Sequence, residues 1–259
     1  MGKKVYFISD MHLGVPSEED SRSREKAAVR FLDSIKDDCE QLFIMGDLFD
    51  FWYEYKRVIP KGFVRIQAKL AEFVDAGISV MLFAGNHDIW TFSYLQKEIG
   101  IQVFREPEVM TINGKRFFLV HGDGRGKGDN GYKFLKWLFE GRLTQFLFRW
   151  IHPDIGLWIG LRWSMKHRVV KLERERKGDY YAVVDKTRLY RYAEAEAEKH
   201  PDVDFFVFGH QHKGMQYKTG QHAMTTVVGN WMWNRDYAVF DGNTVERKTF
   251  QEKTPTELI

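Results

Sequence analysis

The sequence predicts an α/β protein with a single core domain, and two observations carry that prediction. Short β-branched and aromatic runs alternate with segments of helical period through the first half, and each apolar run ends at polar residues and glycine. The chain has 259 residues, 44% of them hydrophobic, which is enough to bury a large core with or without an insertion.

Taken in order, residues 5–9, 41–45 and 79–83 read as three similar strands. Residues 63–74 lie between the second and third, with Phe63, Ile66, Leu70 and Phe73 or Val74 at the helical period and Gly77 placed to cap the C-terminus. Residues 108–112 and 116–120 flank Asn113-Gly114, the strongest two-residue hairpin signal. Residues 203–208 and 224–228 read as further strands, and 237–240 and 244–248 as a last hairpin about Asp241-Gly242.

Residues 131–167 have a different texture, dense in Phe, Trp and Leu with Lys or Arg every few positions. They predict amphipathic helices over 132–148 and 155–169 with Pro153 breaking between them, and 185–199 is a more polar helix leading back to the strands. A helical module at 130–195 is therefore expected as an insertion into a core made of 1–129 and 196–259.

Composition excludes several classes. Asp10 arrives too early in the chain for a signal-peptide apolar region, and the single cysteine, Cys39, has no partner for an internal disulfide. Cytoplasmic location follows as an expectation, with Cys39 an inert thiol at a helix end. The longest charge-free run, residues 219–234, contains Gln221, His222 and Asn230 and does not read as a membrane span. Net charge is +3, but residues 125–177 hold thirteen Lys or Arg against five Asp or Glu, a balance of +8 that leaves −5 elsewhere. That asymmetry predicts an anionic partner meeting one segment.

Five strand ends deliver polar clusters: Asp10-Met11-His12, Gly46-Asp47-Leu48-Phe49-Asp50, Gly85-Asn86-His87-Asp88, His121-Gly122-Asp123 and Gly209-His210-Gln211-His212. Any one of these residues alone reads as a turn or cap. Ends of strands in α/β sheets are nevertheless where loops bring distant residues to one point. Carboxylate, imidazole and amide donors without thiolate suit borderline divalent metals such as Mn, Fe or Zn.

The ordered set D-x-H, G-D-x-x-D, G-N-H-D, H-G-D, G-H-x-H resembles the signature of the calcineurin-like metallophosphoesterases, over about residues 10–212. The resemblance implies a four-layer αββα sandwich carrying two metals. Asp10, His12, Asp47 and His212 would hold one metal, and Asp47, Asn86, His121 and His210 the other, with Asp47 bridging. Two cations about 4 Å apart neutralise phosphate oxygens and acidify water for in-line attack. His87 would then stabilise the transition state or protonate the leaving group, with Asp50 orienting its other nitrogen and Asp88 tying down the loop.

A narrower resemblance is to the UDP-2,3-diacylglucosamine pyrophosphatases of lipid A biosynthesis. It rests on Gly46-Asp47-Leu48-Phe49-Asp50-Phe51-Trp52, Gly85-Asn86-His87-Asp88-Ile89-Trp90, and His121-Gly122-Asp123 with Asp129 and Tyr132. It implies a glycolipid nucleotide substrate, Mn as the metal and a helical cap that grips acyl chains. Asp129 and Tyr132 would position the glucosamine phosphate, and the cap would meet the inner-membrane surface peripherally. Helix capping for Asp129 and core packing for Tyr132 are the alternatives. The better-known branch of that family carries Arg where this chain has His87, so its phosphate contact does not transfer. The second functional reading is a soluble phosphodiesterase or phosphatase acting on nucleotides or nucleic acid. An apolar stripe at helical spacing argues against nucleic acid, which needs exposed aromatics in a basic groove.

Overall fold

The computed structural model describes residues 3–126, 128, 130–176 and 184–252, with 166–176 and 184–187 as backbone alone. In chain order its elements are β1 (Lys4–Ile8), α1 (Glu18–Ile35), β2 (Cys39–Ile44), α2 (Val64–Asp75), β3 (Ser79–Phe83), β4 (Gln102–Phe104), β5 (Glu108–Ile112) and β6 (Lys115–Val120). There follow α3 (Asn130–Glu140), α4 (Arg142–Arg149), α5 (Pro153–Arg176), α6 (Val184–Lys199), β7 (Phe205–Phe208), β8 (Met215–Thr219), β9 (Ala223–Val227), β10 (Asp236–Phe240) and β11 (Val245–Thr249).

Two sheets form, in the orders β11-β10-β1-β2-β3-β4 and β5-β6-β7-β9-β8. Strands β1 to β4 run parallel, as do β6, β7 and β9, and antiparallel strands close the edge of the second sheet at each side. The inner strands are apolar without a break because both of their faces are buried. Tyr6, Ile8, Leu42, Ile44, Val80 and Leu82 face α1 and α2. The alternate residues Phe7, Phe43, Met81 and Phe83 meet Phe117, Leu119, Phe205 and Val207 of the second sheet. Phe118, Val120, Phe206 and Phe208 face Leu189, Tyr192 and Ala193 of α6. The layers are therefore helix, sheet, sheet and helix. Because α6 packs on the second sheet, residues 189–193 of the expected 130–195 module lie with the core side.

Several expectations change in detail. Helix α1 is capped by Ser17, whose Oγ accepts from the Asp20 amide at 3.1 Å; the sequence pattern gives it no bounds because its apolar residues are concentrated late, at Ala27, Ala28, Phe31, Leu32 and Ile35. Cys39 is not at a helix end: it opens β2, buried against the α1 layer. The helix expected over 132–148 is two helices, broken where Gly141 takes an extended conformation before α4. Pro153 does not lie between helices but begins α5, since a first-turn proline loses no helical hydrogen bond. Strands β4 and β8 are short or polar edge strands that the apolar pattern did not mark.

Helices α3 and α4 dock through an aromatic corner. Trp90 Nε1 donates to the Phe139 carbonyl at 2.8 Å and the Tyr53 hydroxyl to the Gln145 carbonyl at 2.6 Å. Phe148 packs against both Tyr53 and Trp90. No helix among the described residues is long and apolar enough to cross a membrane.

Burial pushes the Cys39 thiol up to about 12, so almost none of it is thiolate near pH 8. A thiol-disulfide dye is expected to titrate no thiol in the native protein and one after denaturation; rapid native labelling would contradict the buried position.

Candidate metal centre

The polar residues converge because the chain turns sharply as it leaves the parallel strands. Asp10, His12, Asp47 and His210 all adopt positive φ, between 45° and 61°. The left-handed conformation costs a non-glycine residue roughly 1–3 kcal/mol, and such costs gather where a site requires them. Gly85 makes room in the same place, since a methyl group there would lie 2.2 Å from Asp47 Oδ1.

Three overlapping groups have all their ligand atoms within 4.8 Å of one another: Asp10, His12 and His212; His12, Asp47 and His87; Asp47, His121 and His210. His12 Nε2 is 3.1 Å from His212 Nε2, 3.6 Å from Asp10 Oδ1 and 3.7 Å from Asp47 Oδ2. His121 Nε2 is 3.4 Å from Asp47 Oδ2 and His212 Nε2 is 3.4 Å from Asp10 Oδ1. Asp47 therefore belongs to both ends of the cluster.

Groups behind the histidines fix their orientation. His121 Nδ1 donates to the Met45 carbonyl at 2.6 Å, which turns Nε2 inward as the ligand atom. Asp50 Oδ1 lies 3.3 Å from His12 Nδ1, with the same consequence for His12 Nε2. The expected Asp50–His87 link is present in a different form: His87 Nδ1 meets the Asp50 backbone carbonyl at 2.8 Å, while Oδ1 is 3.6 Å away. The carboxylate is thus engaged with His12. Asp88 Oδ2 and Oδ1 accept from the Leu48 and Gly85 amides at 2.8 and 2.7 Å, joining two of the polar loops. Burial and the nearby Asp47 charge push the Asp88 carboxyl up to about 7, against the pull of those amides.

The donor set fits divalent cations. Asp10 Oδ1, Asn86 Oδ1 and His121 Nε2 are buried without a hydrogen-bond partner, an arrangement proteins rarely leave unless another ligand completes it. Burial alone would push the His121 imidazole down, but the Asp47 carboxylate beside it overrides that and brings it up to about 10. Burial works against ionisation of Asp47 as well, yet the His121 and His87 charges hold it well below the usual carboxylate range. Negative carboxylate is thus balanced by protonated imidazole, the role a bound cation takes over.

Tyr132 and Lys136 are tied to Asp123, two residues beyond His121. The Tyr132 hydroxyl and Lys136 Nζ each donate to Asp123 Oδ2 at 2.8 Å. Asp129 lies outside the described residues. In the glycine-rich loop after His121, Lys133 Nζ donates to the Gly126 carbonyl. Sequence reasoning missed Ser164 of α5, whose Oγ donates to Asp50 Oδ2 at 2.6 Å; only its spacing of four from Gly160 and eight from Gly156 could have marked it.

The calcineurin-like phosphoesterase profile matches residues 3–214. A UDP-2,3-diacylglucosamine hydrolase of Porphyromonas gingivalis is 33% identical over 262 residues, covering 97% of this chain and 99% of that protein. Proteins of the same name from Histophilus somni and Haemophilus influenzae are 25% and 26% identical, covering 88% and 90% of this chain and 92% of each relative. Among solved structures, the phosphoesterase Yfce of E. coli aligns with a TM-score of 0.42 at 14% identity, over 93% of this chain and 90% of that chain.

His121 with a pKa of about 10 carries its proton at neutral pH, and a ligating imidazole must be neutral. Metal binding near neutral pH is therefore expected to release about one proton, and affinity to rise with pH up to that value. Calorimetry in buffers of different ionisation enthalpy reads the release directly; a binding heat independent of buffer would contradict it.

Proposed function

Given that the chain belongs to the calcineurin-like phosphoesterase family, we propose that it splits the pyrophosphate of UDP-2,3-diacylglucosamine into UMP and 2,3-diacylglucosamine 1-phosphate, a step of lipid A biosynthesis. Family membership makes it a metal-dependent phosphoester hydrolase. The observation that carries the choice of substrate is the Porphyromonas gingivalis protein named for that activity, which matches along nearly the whole of both chains.

In this reading Asp10, His12, Asp47 and His212 hold one divalent cation and Asp47, Asn86, His121 and His210 a second, with Mn as the metal. When bound, such cations supply Lewis acidity toward the pyrophosphate oxygens and lower the pKa of water. The chain's own groups do the remaining work. His87, its ring oriented by the Nδ1 bond to the Asp50 carbonyl, acts on a substrate oxygen, to which its protonated form donates. It is partly open, its side chain 21% exposed, whereas Asp50 is fully buried. Asp129 and Tyr132 position the glucosamine phosphate, the Tyr132 ring being held by its bond to Asp123.

The cap, taken as residues 130–195, is assigned to acyl chains and the cytoplasmic face of the inner membrane. What supports this is that α3 and α4 bury no residue. Phe134, Trp137, Leu143, Phe146 and Trp150 are each more than half exposed, beside the cationic Lys133, Arg142 and Arg149. Apolar and basic side chains mixed on short helices suit an anionic lipid surface.

The test is Mn-dependent hydrolysis of UDP-2,3-diacylglucosamine beside UDP-glucosamine and a soluble aryl phosphodiester. The diacylated substrate is expected to lead by ~100-fold or more in kcat/KM, with UMP released. Equal turnover of the soluble diesters would instead favour a nucleotide phosphodiesterase. His87→Ala is expected to lower kcat by roughly 10²- to 10⁴-fold with metal content retained; unchanged turnover would remove His87 from the chemistry.

A further inference from the structure

Gly156, Gly160 and Ser164 recur every four residues along α5 and so share one face of the helix. That face lies on the loop that follows Asp47. A methyl group on Gly156 would be 2.1 Å from the Tyr55 hydroxyl, and one on Gly160 would be 2.3 Å from the Phe51 ring. Only hydrogen side chains let the helix backbone come this close. One turn further, Ser164 Oγ donates to Asp50 Oδ2 at 2.6 Å and lies 3.4 Å from His87 Nδ1. The three positions therefore meet Tyr55, Phe51 and Asp50 in succession, a steric seat that ends in a hydrogen bond.

Asp50 is a junction. Its Oδ1 stands behind His12 at 3.3 Å, its carbonyl takes the His87 Nδ1 proton at 2.8 Å, and its Oδ2 accepts from Ser164. A buried carboxylate oxygen left without its donor is unfavourable, which favours a rotation toward another partner. Here that rotation would draw Oδ1 away from His12 and disturb the segment whose carbonyl holds His87.

We propose that Ser164 is a positioning residue: seated by Gly156 and Gly160, its hydroxyl fixes Asp50 and, through Asp50, the imidazoles of His12 and His87. Hydrolysis at the metal centre then depends on α5 being docked, so the cap that the substrate reading assigns to lipid also sets the geometry of the chemistry. The inference rests on the hydrolase reading of the site and is independent of which phosphoester is the substrate.

Ser164→Ala, Ser164→Thr and Gly160→Val test it, assayed on a soluble aryl phosphodiester and on UDP-2,3-diacylglucosamine. Ser164→Ala is expected to lower kcat about 10-fold on both, with KM within about twofold of wild type and metal content unchanged. Ser164→Thr, which keeps the hydroxyl, restores most of the rate. Gly160→Val keeps the serine but lifts the helix, and lowers kcat as Ser164→Ala does. In magnesium-loaded protein the imidazole resonances of His12 and His87 shift in Ser164→Ala and return in Ser164→Thr. Wild-type kcat in Ser164→Ala, unmoved resonances, or a loss confined to KM on the lipid substrate would each overturn the proposal. If Ser164→Thr does not fold, Gly160→Val and the resonances decide. Wild-type turnover of the diester without turnover of the lipid substrate would end the substrate reading and leave this inference intact.

Discussion

The buried Asp47 carboxylate lies 3.7 Å from His12 Nε2 and 3.4 Å from His121 Nε2, and a charge so far from water is stable only where positive charge surrounds it. Much of the architecture serves that requirement. Three parallel strands of one sheet, β1 to β3, and two of the other, β6 and β7, deliver loops to the same place, and left-handed turns at Asp10, His12, Asp47 and His210 aim the side chains inward. A hydrogen bond from behind to the Met45 carbonyl, and the Asp50 carboxylate 3.3 Å behind His12 Nδ1, settle which imidazole nitrogen faces the carboxylates. The phenylalanine layer between the sheets, Phe7, Phe43, Phe83, Phe117 and Phe205, gives these loops a rigid base.

Charge and apolar surface are divided between two parts of the chain. Residues 125–177 hold a balance of +8, and the remainder, which contains most of the carboxylates at the site, holds −5. The helices of the basic segment keep large aromatic residues exposed on α3 and α4 while docking through Trp90, Tyr53 and Phe148 at a single corner. A helix seated through two glycines, as α5 is on Phe51 and Tyr55, comes close enough for one hydroxyl to reach Asp50, which stands behind His12 and His87. Close packing transmits such placement because a dense interface has few alternative arrangements.

Some of this was legible from residue order and some was not. Short β-branched and aromatic runs marked β1, β2 and β3, and Asn113-Gly114 marked the β5–β6 hairpin, because those signals are local. Helix α1 was missed because its apolar residues come late, and β4 and β8 because an edge strand needs no apolar run. Cys39 was misplaced since the short turn after Ile35 gives little warning that β2 has begun. Gly141 shows the same limit: a glycine inside an amphipathic pattern either continues the helix or breaks it, and docking of α3 on Trp90 accompanies the break seen here.

By itself the sequence determined the chemical inventory: which carboxylates, imidazoles and amide follow which strands, and that a basic, aromatic segment interrupts the second half. Donor type and order are written in the residues, so a resemblance built on them reaches the family. Only the tertiary structure decided how those groups share their bonds. It gave the Asp50 carboxylate to His12 and its carbonyl to His87, placed Asp88 between two loops, and brought Ser164 to Asp50 across 114 positions of chain. Such pairings depend on where α5 rests against Phe51 and Tyr55, a contact made by the absence of side chains at Gly156 and Gly160 that no local pattern reveals.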